Sequence, residues 1–188
     1  MTWIGGKTMK PFWLSLIIGV ALLGPAYAQN ILLPMGSEAG QPAVEACPDT
    51  TVELSTEPNE LVVRGPNFWS IRWQFNKAGI DLTHAVPSDT LEIELSLATA
   101  DTKPSIEVVL VNSDWSGKAV YRFDVPPSAA EGFVKVRSTT GLSEPIRTEG
   151  DFSPLSQPVD AVQFLMRAEG GNSPWDVRLK SLSLAKKP

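Results

Sequence analysis

The segment Trp69-Ser70-Ile71-Arg72-Trp73-Gln74-Phe75 decides the fold class. Large apolar side chains occupy every second position, and polar side chains occupy the positions between them. Because successive side chains of a strand point to opposite faces, this period is typical of a β-strand with one face on a core and one toward water. A helix would instead place its apolar residues three or four positions apart. The segment therefore predicts a half-buried strand.

The same period recurs along much of the chain. Residues 91–97 and 162–166 alternate in the same way, and residues 106–111 are apolar on both faces, which predicts a central strand. Turns rich in Pro, Gly, Asp and Ser separate these segments, and no later stretch keeps a helical period for three turns. We therefore expect an all-β fold, a single jelly-roll β-sandwich over residues 50–188.

The first 28 residues have the organisation of a cleavable secretory signal peptide. They contain two lysines and no acid, then an apolar run over residues 12–23, then the small-residue pattern Ala26-x-Ala28. A membrane-spanning helix needs about 20 apolar residues, so this run is too short for that alternative. Met9 is an equally suitable start. The segment predicts export, to the periplasm or outside the cell.

The remaining composition limits the class of partner. Without the two lysines of the signal segment the net charge falls from −5 to −7, which excludes the basic surface that nucleic acid or an anionic membrane requires. No later apolar run is long enough to span a membrane. Cys47 is the single cysteine, so no intrachain disulfide forms. Residues 29–49 are rich in Pro, Gly and Ala, and we expect a short irregular lead-in or linker there, either flexible or laid in part against the domain.

The order of the motifs carries a family resemblance. They follow one another as Trp69-Ser70-Ile71-Arg72-Trp73-Gln74-Phe75, Asp81-Leu82-Thr83, residues 91–97, Asp114-Trp115-Ser116-Gly117, residues 132–136, Asp151-Phe152-Ser153, residues 159–164 and residues 177–184. This order, over roughly residues 50–185, resembles the galactose-binding-like jelly rolls, including carbohydrate-binding modules of bacterial secreted proteins. The resemblance implies a β-sandwich closed by the final amphipathic strand. That strand changes apolar phase at Lys180-Ser181, which predicts a β-bulge.

The same resemblance raises the question of a structural calcium ion. The calcium ligands usual in such domains cannot be assigned in this chain, because no acidic cluster has a suitable spacing; Glu53 and Asp176 are the candidate contributors. No metal site and no other cofactor are predicted.

Exposed aromatic residues and polar strand positions predict a carbohydrate-binding surface. A sugar stacks its apolar face on an aromatic ring and hydrogen-bonds through its hydroxyls. Trp115 in a hairpin turn and Trp175 in a loop before a strand are difficult to bury there. Alternatively, either ring folds back as a lid over the end of the sandwich. The polar contacts would come from Asp114, Arg72, Gln163 and Arg167, and the two arginines would suit an acidic glycan.

Catalytic chemistry has weaker support in the sequence. His84 is the single histidine, and no Gly-x-Ser-x-Gly motif accompanies it. Glu92 and Glu94 share one strand face about 7 Å apart, a separation that glycoside hydrolysis tolerates but that any solvated strand face also produces. If their strand shares a sheet with that of Arg72, their side chains would form one polar groove. No catalytic residue is predicted.

The sequence therefore predicts an exported, non-catalytic carbohydrate-binding domain, its ligand a cell-envelope or exported polysaccharide. The alternative is an interaction or assembly module that binds an envelope protein through a sheet edge or the aromatic loops. A glycan-processing enzyme that uses Glu92 or Glu94 is the least favoured hypothesis.

Overall fold

The computed structural model describes residues 30–36, 42–45, 53–65, 68–75, 79–98, 104–168 and 175–187. The predicted signal peptide and Cys47 lie outside these residues. The strands within them are β1 (Asn30–Pro34), β2 (Ala43–Glu45), β3 (Glu53–Glu57), β4 (Glu60–Gly65), β5 (Phe68–Gln74), β6 (Thr90–Leu97), β7 (Pro104–Val111), β8 (Lys118–Asp124), β9 (Val134–Arg137), β10 (Arg147–Glu149), β11 (Ala161–Ala168) and β12 (Trp175–Ala185). A 3-10 helix covers Pro127–Ala130. The described ranges contain no helix long and apolar enough to cross a bilayer.

The strands form two antiparallel sheets. The first sheet has the order β3-β4-β12-β6-β9, with β1 also paired to β12. The second sheet has the order β10-β8-β7-β11-β5-β2. The predicted central strand, β7, lies between β8 and β11, and its neighbours cover both of its edges. The last strand, β12, lies in the middle of the first sheet.

The core lies between the two sheets and is filled by the alternating apolar residues. Ile71 and Trp73 of the deciding segment are buried, and the Trp73 ring meets Phe164 edge to face with 5.5 Å between centroids. Tyr121 is buried among them and its hydroxyl donates to the Leu142 carbonyl at 2.7 Å; burial raises the pKa of this phenol. The predicted all-β jelly-roll sandwich is confirmed.

The expected β-bulge lies where the apolar phase changes. In β12, Leu179 pairs with Leu95 and Ser181 pairs with Glu94, so Lys180 is the extra residue. The carbonyl of Lys180 accepts a 2.8 Å hydrogen bond from the Met35 amide. The bulge therefore returns the next leucines of β12 to the core face.

The lead-in over residues 29–49 is less irregular than expected. Its β1 pairs with β12 and its β2 pairs with β5, and Leu33 and Met35 are buried in the core. The prolines of this segment favour turns, but a proline at the end of a short edge strand, as Pro34 is in β1, does not prevent pairing. The expectation of an irregular segment was wrong for residues 30–34 and 43–45.

Candidate functional site

The outward side of the second sheet carries a second, smaller apolar cluster. Val109 and Val111 of β7 point away from the main core and are nevertheless buried, together with Val120 and Ala161 on the neighbouring strands. Trp115 and Leu165 pack against them and are half-buried. We call this side the aromatic face and define it by Arg72, Gln74, Glu107, Val109, Val111, Trp115, Val120, Arg122, Ala161, Gln163 and Leu165.

The turn between β7 and β8 holds Trp115 in a demanding backbone conformation. Its φ is 65°, in the left-handed region that a bulky side chain rarely adopts. The Asp114 carboxylate stabilises the turn, because its Oδ1 accepts hydrogen bonds from the Ser116 amide at 3.1 Å and the Ser116 hydroxyl at 2.7 Å. These two bonds hold the pKa of Asp114 below its ordinary value, the hydroxyl bond contributing most. Such local strain is common at ligand sites.

Two glycines let a neighbouring segment press against this turn. A Cβ on Gly117 would lie 2.4 Å from the Phe152 Cβ, and a Cβ on Gly150 would lie 2.2 Å from the Ser116 carbonyl oxygen. Gly150 also has a φ of 66°. The turn that carries Trp115 is therefore packed from behind and cannot move without displacing Phe152.

Polar groups of β5 fix the indole ring. The Trp115 Nε1–H donates to the Gln74 Oε1 at 3.3 Å, and the Arg72 guanidinium carbon lies 4.6 Å from the ring centroid. A guanidinium at this distance is attracted by the ring's electron density. Trp115 is thus both the apolar centre of the face and part of its hydrogen-bonding network.

The centre of the aromatic face also holds amide and carboxylate groups. Gln163 pairs in register with Arg72, and its Nε2 donates to the Ser70 hydroxyl at 2.8 Å. Glu107 is only 2% exposed and accepts a hydrogen bond from Arg122 Nη2 at 3.0 Å. The face therefore alternates apolar surface with groups that donate and accept hydrogen bonds.

The structure brings together only part of the predicted set. Arg72, Gln163, Asp114 and Trp115 lie on the second sheet or its turn. Arg167 belongs to β11 of the same sheet, where its backbone pairs with Phe68 and Ser105, but its side chain is outside the description. Asp114 uses one carboxylate oxygen within the turn, which makes it a positioning residue for Trp115.

Trp175 does not belong to the group. It was expected in a loop, but it is the first residue of β12 and pairs with Gly65 in the first sheet. The five residues 170–174, which are glycine, polar residues and proline, favoured a loop that includes Trp175, but the strand already begins at Trp175. The two tryptophans are therefore attached to different sheets.

The outward side of the first sheet is different in character, and we call it the ionic face. Acids and bases alternate across its strands and form ion pairs at 2.6–3.7 Å. Its members are Glu53, Glu60, Arg64, Glu92, Glu94, Lys135, Arg137, Asp176, Arg178 and Lys180. Glu92 and Glu94 were expected to share a groove with Arg72, but they lie on this opposite face, and cationic side chains bind both.

Glu53 and Asp176, the two candidate calcium ligands, both form ion pairs with Arg64. Arg64 donates from Nε to Asp176 at 2.6 Å and lies 3.6 Å from Glu53. The hydrogen bond from Arg64 is the main reason that the pKa of Asp176 lies below its ordinary value. Within the described ranges no three His, Cys, Asp or Glu side chains come together as metal ligands.

Sequence reasoning missed the apolar half of the aromatic face. Residues 106–111 were recognised as apolar on both sides and assigned to a central strand, which is correct. The outward valines Val109 and Val111, however, do more than occupy a central strand, since they form the floor beneath Trp115. The sequence signal for this apolar surface is that residues 108–111 of β7 are all apolar and do not alternate with polar residues.

Comparison with known proteins places the fold. No family model matches this sequence, and no curated protein matches it in sequence. The solved structure of SGBP-B from a complex xyloglucan utilization locus in Bacteroides uniformis is similar, with a TM-score of 0.51 and 12% identity over 84% of this chain and 50% of that chain. An exo-beta-agarase matches with a TM-score of 0.50 and 8% identity over 85% of this chain and 25% of that chain.

A family 30 carbohydrate-binding module covers 85% of this chain and 95% of its own length, at 12% identity and a TM-score of 0.46. The chain spans half or less of the SGBP-B and agarase chains. At these identities the likeness concerns the fold alone. The expected resemblance to carbohydrate-binding-module sandwiches is confirmed at that level.

Proposed function

We propose that this protein is an exported, non-catalytic carbohydrate-binding domain that binds a cell-envelope or exported polysaccharide on its aromatic face. Export is supported by the charged, apolar and small-residue organisation of the first 28 residues. The absence of turnover is supported by the engagement of Glu92 and Glu94 in ion pairs.

The observation that carries the proposal is the backbone of Trp115. A left-handed conformation at a bulky residue costs about 1–3 kcal/mol, and the surrounding turn maintains it. The result is a half-buried indole on an outward sheet face, above a floor of buried valines. The cost of this conformation supports a role for the indole in ligand contact.

The surroundings of Trp115 match the chemistry of a sugar. A sugar ring has an apolar face for stacking and hydroxyls at its edge for hydrogen bonds. Arg72, Gln74 and Gln163 supply both donors and acceptors close to the indole. Contacts with Trp115 and Ser70 already order these groups, so binding costs little side-chain entropy.

Tryptophan fluorescence of the purified protein, titrated with neutral and acidic polysaccharides, tests this proposal. We expect a saturable change in emission and at least a tenfold loss of affinity in Trp115→Ala, as at other aromatic hot spots. Phe133→Ala is the matched control, because Phe133 lies on the ionic face and also contacts a cation, Lys180, at 3.7 Å. It should bind as the unmodified protein does.

Two outcomes contradict the proposal. One is the absence of saturable binding to any polysaccharide by a protein that circular dichroism shows to be folded. The other is an equal loss of affinity in Trp115→Ala and Phe133→Ala, which would mean that the aromatic face has no special part in binding.

A further inference from the structure

A cleft lies at one end of the sandwich, away from the aromatic face. It has a volume of about 730 Å³ and is lined by Pro87, Ser88 and Thr90, by residues 137–141, by Ser143 and Glu144, and by Lys187. This volume falls within the range of small-ligand sites in proteins. None of the residues that define the aromatic face lines it.

The walls of the cleft are held rigidly. The Leu142 amide donates to the Asp89 carbonyl at 2.8 Å, and the Ser143 amide donates to the Pro87 carbonyl at 3.2 Å. The Leu142 carbonyl in turn accepts the hydroxyl of Tyr121 from the core. The loop over residues 138–144 is therefore tied to both the opposite wall and the second sheet, which preorganises the cleft.

The lining is rich in hydroxyl groups. Ser88, Thr139 and Ser143 line the cleft together with Thr140. The Thr140 Oγ1 atom is buried and has no hydrogen-bond partner among the described residues. That atom is closed off from the cleft, so a ligand would meet the exposed hydroxyls of Ser88, Thr139 and Ser143 instead.

Two cations at the cleft have donors to spare. Arg137 donates from Nε to Glu92 at 3.2 Å, which orients the guanidinium, and its two Nη groups bind no carboxylate in the described part of the chain. Lys187 forms no ion pair there either. One acid, Glu144, also lines the cleft, so its lining has a net positive charge in an otherwise acidic chain.

We propose that this cleft binds a sugar residue that bears a carboxylate, a uronic acid. The planar Nη fork of Arg137 fits a carboxylate, Lys187 adds a second positive charge, and the exposed hydroxyls of Ser88 and Thr139 hydrogen-bond the sugar. The saccharide part of this inference rests on the proposed function. The carboxylate part rests on Arg137 and Lys187 alone.

Nuclear magnetic resonance titration of the ¹⁵N-labelled protein tests the inference, with galacturonic acid, its trimer and the neutral galactose trimer as probes. We expect both acidic probes to shift the amide signals of residues 138–143 saturably, and the neutral trimer to leave them unshifted. Arg137→Gln should raise the Kd at least tenfold, since it removes a charge-assisted contact. Arg178→Gln, which changes another exposed, ion-paired arginine of the first sheet, should leave the Kd unchanged.

Thr139→Val and Lys187→Gln keep the test decisive if Arg137→Gln does not fold. Neither breaks an ion pair in the described ranges, and each should raise the Kd at least threefold. The inference is overturned if neither acidic probe shifts these amides, if the neutral trimer shifts them equally, or if these variants bind normally.

Trp115→Ala separates this inference from the proposed function. It should leave uronate binding at the cleft unchanged while it lowers the affinity of the aromatic face for polysaccharide at least tenfold. If uronate still shifts residues 138–143 but no polysaccharide binds the aromatic face, the cleft stands and the proposed function fails. If Trp115→Ala abolishes the uronate shifts, the cleft is not the site.

Discussion

The two outward faces of this sandwich are built from strands of the same period but differ in what their side chains contact. On the ionic face, the acids and bases among the described residues pair with one another across neighbouring strands. On the aromatic face, buried valines lie beneath a half-buried tryptophan beside Arg72 and the Glu107–Arg122 pair, and the ion pairs of Glu149 with Lys118 and Arg147 lie toward the β8–β10 edge. One face satisfies its own side chains, while the other leaves apolar surface beside hydrogen-bonding groups.

The comparison also shows which local feature indicates a site. Both faces contain an aromatic ring in contact with a cation, Phe133 with Lys180 and Trp115 with Arg72. Lys180 is also paired with Glu94, and Phe133 has an ordinary backbone. Only Trp115 combines its cation with backbone strain and an apolar floor. A contact between a cation and an aromatic ring is therefore a weak indicator of a binding site. The strained backbone of Trp115 above buried valines is a stronger one.

The largest expected effect comes from placing a charge in the floor of the aromatic face. Val109→Asp buries a carboxylate at a position that is 2% exposed, and we expect it to destabilise the fold by about 3 kcal/mol or more. Val62→Asp, on the half-buried outward side of the first sheet near Arg178, should cost less than about 1 kcal/mol. Urea denaturation measures both. Equal losses would mean that the two faces are equally buried.

A smaller loss should follow from removing Arg122. Arg122→Ala takes a charged partner from the buried carboxylate of Glu107, and we expect a cost of about 1–3 kcal/mol in urea denaturation. The double variant Arg122→Ala/Glu107→Gln should recover part of this loss, because a neutral amide is easier to bury than a carboxylate. A double variant less stable than Arg122→Ala would contradict this account.

Acid should weaken the ionic face through Asp176. The hydrogen bond from Arg64 holds the pKa of Asp176 below its ordinary value of 3.8 in the folded protein. Its contribution to stability is therefore complete above that value and is lost as the pH falls below it. Between pH 5 and pH 3, Asp176→Asn should lose less stability than the unmodified protein. The same pH dependence in both proteins would show that this pair does not contribute.

The smallest effect should come from an exposed ion pair of the ionic face. Arg178 lies 3.4 Å from Glu60 and is more than half exposed. Arg178→Ala should change the free energy of unfolding by less than about 0.5 kcal/mol and leave polysaccharide affinity unchanged. A large change in either quantity would mean that the ionic face has a role beyond solvation.

Much of the fold could be predicted because its determinants are local. Apolar and polar residues alternate in residues 69–75 and 91–97 because each strand buries one face against the core. The change of apolar phase at Lys180, which marks the β-bulge, is likewise visible within a single segment. Strands β1 and β2 were missed because their pairing depends on distant partners, β12 and β5. The prolines and glycines of that segment favour turns, but they do not indicate whether the residues between them pair with a distant strand.

The candidate site was harder to predict because it depends on which strands share a sheet. Arg72 and Gln163 were chosen from separate strands, and β5 and β11 proved to be direct neighbours. Glu92 and Glu94 have the same local pattern, but β6 pairs with β12 and β9 instead. The left-handed backbone of Trp115 has no sequence signature, since a bulky residue is the least expected one there.

The position of β12 has a consequence for the time at which the domain can fold. β12 is the last strand along the chain, yet it separates β4 and β1 from β6 in the first sheet. Until residues 175–185 are available, that sheet consists of three parts that cannot pair with one another, namely β3 with β4, β6 with β9, and β1 alone, and its longest-range contact joins β1 to β12. Contacts of this kind make folding slow. The topology therefore postpones completion of the first sheet until residues 175–185 can take their central place in it.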